Sequence, residues 1–382
     1  MNLRGCYEEH DQGEAAGAAP APADAFVHRA GASTQRAHVA GWSRTLSAFR
    51  TPATARASWE LAVSALPFAA GWFAMQWAVS HGAYWLYALL MLPTAGFLVR
   101  LFLIQHDCGH RAFYPNRRAN DWTGRAISVL TLTPYDHWRR THAIHHATHG
   151  NLARRGVGDV DTLTVAEYYA RPRATRLRYR AYRHPLVLFV IGPIYVFVVS
   201  NRFPGGFTRD GWRPWLSTMA TNAGIVLVCA LAIALVGPRT FMLVHLPLMF
   251  LAALAGVYLF YVQHQFEHAY WQQPAAWHVR EGALQGSSHF DLPLVLRWFT
   301  ANIGVHHVHH LASTIPFYRL QTVLRTHPEL ADVNRIGLLE SLRCVRLALW
   351  DEGERRMVSF AEAARLARVR TGLANEGVAL PH

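Results

Sequence analysis

The chain has 382 residues, 52% of them hydrophobic and only 16% charged, against about 25% charged in an ordinary soluble domain. With 13 tryptophans and 19 phenylalanines and a mean hydropathy of +0.07, it reads as part membrane and part water-exposed, which excludes a purely soluble globule. The net charge of +13 comes wholly from arginine, with no lysine; the arginines gather between apolar runs, a positive-inside pattern that excludes nucleic acid as a partner despite the high pI.

Residues 1–40, rich in Ala, Gly and Pro, read as a flexible N-terminal tail. Glu8, Glu9 and Asp11 without an early apolar run predict no cleavable signal peptide. Apolar runs over 59–79 and 83–105 follow, each with about the 20 residues needed to cross a bilayer core. The turn at Ser80–Gly82 makes them a hairpin that starts and ends on one side. A polar, arginine-rich stretch comes next. The segment 184–200 is apolar but short, with Gly192 and Pro193 in its middle. As a span it would put everything after it on the opposite face, so it is expected to be interfacial or re-entrant. Runs over 215–236 and 240–262, joined at Gly237-Pro238-Arg239, predict a second hairpin. From Leu292 onward the pattern is amphipathic and helical, with 346–382 as a C-terminal cytoplasmic tail. The expected fold is an all-α integral membrane protein: two transmembrane hairpins (about four spans), an interfacial helix and a helical cytoplasmic cap, with 41–345 as the membrane domain.

Cys6, Cys108, Cys229 and Cys344 are scattered without a CxxC, so no disulfide framework is expected and a reducing compartment suits them. Histidine is the informative residue. Twelve of the 23 fall in or beside four clusters: His106 and His110; His142, His145 and His146, with His149 beside them; His264 and His268; His306, His307, His309 and His310. Each cluster sits where an apolar stretch gives way to polar sequence, and hairpin parity places all four on one membrane face. Positions three and four apart share a helix face, so each cluster can aim two or three imidazoles at one point. A lone histidine at a membrane boundary is unremarkable; HxxHH occurring twice, in register with two hairpins, is poorly explained by a solvated polar face.

The predicted metal ligands are His106, His110, His142, His145, His146, His264, His306, His309 and His310, with His268 either a tenth ligand or the holder of a bound water. His307 is offset by one position and points elsewhere. His149, a further turn along the second cluster, belongs behind the ligands, and His137, His278 and His289 read as ordinary interfacial residues. Neutral imidazole ligates iron, copper, nickel or zinc. A single zinc needs three or four ligands, and Cys108 alone offers no thiolate set. Nine or more histidines fit two irons with open positions for dioxygen. Asp107, Glu267 and Asn302 are candidates to orient ring N–H groups.

The boxes resemble those of the membrane fatty acid desaturases, of the bacterial acyl-lipid type. His106 to His110 is similar to the family's first box. The run His142-Ala-Ile-His-His-Ala-Thr-His-Gly-Asn151, continuing through Arg154-Arg-Gly-Val-Gly-Asp159, resembles the second. Tyr261-Val-Gln-His-Gln-Phe-Glu267 resembles the motif after the second hairpin. Trp298-Phe-Thr-Ala-Asn-Ile-Gly-Val-His-His-Val-His-His310, followed by Ile315-Pro316, resembles the third box. The similarity covers about 55–340, departing at His268, where close relatives often have an acid, and at His149, where a small polar residue is common.

The resemblance implies a non-haem diiron centre, an acyl chain held in an apolar tunnel, and removal of two vicinal hydrogens to give a cis double bond while O2 is reduced to water. It further implies phospholipid acyl chains as substrate and a location in the bacterial inner membrane with the boxes facing the cytoplasm. No His-Pro-Gly-Gly haem signature is present, so electrons are expected from a separate donor such as a ferredoxin. A hydroxylase or ketolase on a lipid-like substrate shares the oxidant and is the alternative. Metal transport or storage is more distant, because the four spans carry almost no ionisable residues beyond Glu60, Arg100 and His245.

Overall fold

The computed structural model describes residues 41, 42 and 44–375; the predicted tail over 1–40 lies outside the described residues. Four helices dominate: α1 (Thr54–Ser80), α2 (Tyr84–Gly109), and, after the cap's first elements, a second long pair at Trp212–Val236 and Pro238–His264. All four are long and apolar enough to cross a membrane. They extend the predicted runs by up to five residues, because the flanking polar residues complete the end turns. Between the pairs lie α3 (Arg117–Leu130) and α4 (Tyr135–Thr148), and the second pair is numbered α5 and α6. Asn116 caps α3, its side chain accepting from Arg118 N and Ala119 N.

The hairpin turns differ. Gly82 (φ +74°) closes α1–α2, whereas α5–α6 turns on Gly237 alone (φ +79°), followed by Pro238 in the first turn of α6. A side chain at either glycine would occupy the left-handed region, and proline's fixed φ preorganises the helix that follows. Helix α2 is the central element, half buried against α1, α3 and α6. Helix α5 is peripheral and leaves Val226, Leu227, Leu231 and Leu235 exposed. In water such a face would drive association, whereas lipid tails solvate it.

One ion pair is buried within the first hairpin. Arg100 pairs with Glu60, which also takes a 2.7 Å bond from Arg56 Nε. Arg100 Nε donates to Ser64 Oγ at 3.1 Å, and its Nη1 donates to the Trp298 carbonyl. The guanidinium lies 4.1 Å from the Trp298 ring centroid. Both charges therefore have partners, and the third histidine box is tied to α2 through its first residue.

The segment after His184 is bent by 57° from the helix Arg173–Tyr182. Pro193 has no N–H, and the bonds beside it lengthen to i→i−5, as in Gly192 N to Val187 O. Its start is tied to the end of α6, where buried Arg183 donates to Tyr261 Oη (3.1 Å) and Gln265 Oε1 (2.8 Å). At its other end Arg202 donates to Asn222 Oδ1 at 2.7 Å and to the Leu132 carbonyl. Leu132 adjoins Thr131, which donates to Gln105 Oε1 at 2.6 Å, beside His106. Both ends of the segment thus sit at the histidine end of the long helices.

The helix-only expectation is corrected in the cap. Among the described residues, five strands of two or three residues form two small sheets: β1 (Leu163–Thr164), β4 (Leu349–Asp351) and β5 (Arg356–Val358) in the order β1-β4-β5, and β2 (His289–Asp291) parallel to β3 (Arg335–Gly337). Residues 349–358, expected in a separate helical tail, pair with Leu163–Thr164 and pack into the body; a helix follows at Phe360–Asn375. Strands this short are below the length at which period-two alternation can be read.

Candidate metal centre

Four helix ends converge at the cap. His106 is in the last turn of α2 and His110 is its C-cap. His142, His145 and His146 lie on α4, His264 ends α6, and His306, His309 and His310 lie on α7 (His306–Leu311). Helical spacing sets each cluster's face, and the helix crossings bring the faces together. His106, His110, His142, His146 and His309 form one group whose ligand atoms all lie within 4.8 Å of one another. His145, His264 and His310 form a second, joined by His306 through Nε2–Nε2 distances of 3.0 Å to His264 and 3.1 Å to His310.

Within the groups the pattern is repeated. His142 Nε2 lies 3.1 Å from both His106 Nε2 and His146 Nε2, and His264 Nε2 lies 3.1 Å from His145 Nε2. Hydrogen bonding cannot satisfy such chains. A ring nitrogen carries either one in-plane hydrogen or one lone pair, so His142, His264 and His306 cannot each serve two neighbouring nitrogens. The Nε2 atoms of His110 and His309 are buried with no partner at all. A central cation satisfies every one of them. With metal–nitrogen bonds of about 2.1 Å, right-angle neighbours lie about 3.0 Å apart and tetrahedral ones about 3.4 Å. The observed 3.0–3.1 Å fits the right-angle arrangement of a five- or six-coordinate metal better than tetrahedral zinc.

Electrostatics agree. Burial holds His110, His142, His146, His306, His309 and His310 well below the usual imidazole range. Burial also pushes His145 down to about 4, although Asp159 pulls the other way. The rings are neutral and keep a lone pair for a metal.

Of the ten predicted ligands, His268 is the one the structure leaves out of both groups. Helix α6 stops at His264, with Gln265 as its C-cap at φ −114°, ψ 67°, so the i,i+4 relation is lost and His268 is exposed. His307 points away, its Nε2 2.8 Å from the Leu330 carbonyl. His149 lies behind His264, with Nε2 2.7 Å from the Gly286 carbonyl. A Cβ on Gly286 would fall 2.8 Å from that ring nitrogen, so only glycine permits the approach.

Among the proposed orienting residues, Asp107 is at the site: Oδ1 is 3.4 Å from His106 Nδ1 and Oδ2 accepts from Phe317 N at 2.7 Å. Glu267 and Asn302 are not. Glu267 is exposed and pairs with Arg356 at 3.3 Å, and Asn302 donates to the Phe317 carbonyl at 3.3 Å. Sequence reasoning missed Asp159, whose side chain is only 5% exposed, with Oδ2 3.1 Å from His149 Nδ1 and 3.7 Å from His145 Nδ1. It closes the motif that begins at His142, but the intervening turns hide its proximity. Trp138 was also missed; it stacks on His142 with centroids 4.5 Å apart, and its place one turn before that histidine was the available signal. Asp159→Asn keeps the side chain's shape and is expected to lower metal affinity about 10–100-fold. Metal retained after dialysis against a graded chelator measures this, and wild-type retention would remove Asp159 from the site.

The similarity to known proteins covers this same framework. A fatty acid desaturase family model matches residues 85–338. A fatty acid desaturase of Bacillus subtilis is 41% identical over 318 residues, covering 83% of this chain and 90% of the relative. An sn-1 acyl-lipid omega-3 desaturase (ferredoxin) of Synechocystis sp. is 27% identical over 66% of this chain and 69% of its own. An acyl-lipid omega-3 desaturase (cytochrome b5) of the Arabidopsis thaliana endoplasmic reticulum is 28% identical over 68% and 66%. The matched region runs from the second span through the last histidine box, so the chain belongs to the fatty acid desaturase family, oxidoreductases that desaturate fatty acids.

Proposed function

We propose that this protein introduces a cis double bond into the long acyl chain of a membrane lipid, using two irons, O2 and electrons from a separate donor. The carrying observation is the pair of histidine groups, five and four residues, at the foot of two apolar hairpins. His106, His110, His142, His146 and His309 would hold one iron; His145, His264, His306 and His310 the other. Bound there, the metals supply dioxygen reduction and an oxidant able to attack an unactivated C–H bond. The chain's own residues exclude bulk water by burying the rings, keep the ring nitrogens deprotonated and orient them through Asp107 and Asp159. In balance, two hydrogens from the acyl chain, with two electrons and two protons from outside, reduce one O2 to two water molecules.

The exposed apolar faces of α5 and the arginine excess of the cap support a reading with the histidine end at the cytoplasmic side of a bacterial inner membrane. The segment 184–200 lies along that interface, since both its ends are held at the histidine end. Acyl-lipid substrates are named for the Synechocystis and Arabidopsis relatives, and one of each donor type, ferredoxin and cytochrome b5, appears in those names. A ferredoxin-like acidic protein as electron donor suits an arginine-rich cap.

Expression in a host of known lipid profile, with double bonds located by mass spectrometry, is expected to yield a new unsaturated acyl chain without added oxygen. An oxygenated product would establish the hydroxylase instead.

A further inference from the structure

Helix Arg173–Tyr182 reads Arg-Ala-Thr-Arg-Leu-Arg-Tyr-Arg-Ala-Tyr. One face is anchored: Tyr179 is buried, its hydroxyl donating to the Ala348 carbonyl at 2.7 Å and accepting from Leu163 N at 3.0 Å. Arg183 holds the helix end against α6. The rest of the helix surface is thereby fixed outward: Arg173, Leu177 (65% exposed) and Arg180 share one flank, where Arg180 also lies 4.9 Å from the Phe360 ring centroid, and Arg178 stands exposed on the other flank. Glu167, Glu362 and Asp351 are engaged elsewhere, with Arg155, Arg356 and Arg370. Among the described residues no carboxylate lies within ion-pair distance of Arg173, Arg178 or Arg180. The chain then runs directly into the bent segment, where Leu186, Ile191, Tyr195 and Val198 are exposed.

We propose that this helix is a binding surface for the phosphate headgroups of anionic membrane lipids, seated at the bilayer interface beside the histidine end of the spans. Fixed cations on both flanks of a helix that continues into uncovered apolar side chains are what an interfacial element presents to headgroup and acyl chain together. An acidic protein would satisfy the arginines but leave the adjoining apolar run in water. Guanidinium binds phosphate through paired N–H donors. The inference rests on the bilayer placement of the spans given under Proposed function.

The test uses the full-length protein in phosphatidylcholine nanodiscs and in neutral detergent titrated with phosphatidylglycerol, phosphatidylcholine or inorganic phosphate, read by native mass spectrometry of bound lipid. Each arginine near an anionic surface is expected to contribute about five-fold in affinity, so the variant R173Q/R178Q/R180Q binds phosphatidylglycerol about a hundred-fold more weakly. Phosphatidylcholine binding stays unchanged, and the wild-type preference weakens in high salt. Should the triple variant fold poorly, Arg178→Gln alone carries the five-fold expectation. Equal phosphatidylglycerol affinity in wild type and variants overturns the proposal. So does inorganic phosphate competing as strongly as the lipid, or loss of an acidic redox protein's binding without loss of lipid preference. Failure to insert into phosphatidylcholine nanodiscs would instead overturn the bilayer placement itself.

Discussion

Replacing His145 by alanine is expected to abolish the unsaturated product and, with the two irons proposed, to lower bound iron from two per chain toward one. His145 is buried on α4, with Nε2 3.1 Å from that of His264 and Nδ1 facing Asp159. Its group has four histidines against five in the other, so one lost nitrogen removes a larger share of the donors. Loss of an outer orienting partner alone costs about 10–100-fold in metal affinity, and loss of a direct ligand should exceed that. Neighbouring His307 supplies the control. It is equally buried and sits inside the third box, but its Nε2 bonds the Leu330 carbonyl. His307→Ala should keep two irons while losing about 1–3 kcal/mol of stability for the orphaned carbonyl. Iron per chain by elemental analysis, beside product yield, separates the two. Full activity with two irons in His145→Ala would refute the ligand assignment.

Arg100→Ala is expected to be among the most destabilising single changes outside the metal site. It leaves Glu60 as a buried charge shared only with the half-exposed Arg56, and strips the Trp298 carbonyl of a donor. Removing one partner of a buried pair costs about 3–5 kcal/mol, whereas replacing both by apolar groups of similar volume is often neutral. Thermal unfolding in detergent should show Tm lowered by about 10 °C, at roughly 2–4 °C per kcal/mol. The double variant Glu60→Met/Arg100→Met should be more stable than Arg100→Ala. The opposite order would mean that the pair itself, rather than the cost of leaving one charge behind, holds the hairpin to the third box. Because Trp298 begins the run leading to His306, the single variant should also lose iron more readily.

The four spans, the histidine clusters and the family likeness were all legible in the chain. A bilayer needs about 20 apolar residues in a row, and a helix puts i, i+3 and i+4 on one face. Both are short-range rules that a linear sequence displays. They place His142, His145 and His146 on α4 but cannot say which metal each would serve. The structure divides them, His142 and His146 with His106, and His145 with His264. That division depends on how α4 is rotated against α2 and α6, which is set by the packing of Trp138 on Phe102 of α2 and of His145 on Phe260 of α6.

What the sequence could not place has the same cause. The spacing of His268 puts it on the face of His264 only if α6 continues, and the helix stops four residues short of it. Glu267 and Asn302 were assigned by nearness in sequence, while the acid behind His145 and His149 is Asp159, brought back by turns at Gly156 and Gly158 with φ of +86° and +66°. The cap strands are too short to leave a period. By itself the sequence determined that this is a membrane protein of the desaturase family with a histidine-rich centre. Only the tertiary structure decided which nitrogens share a point, because that is a property of helix crossings and loop returns between residues far apart in the chain.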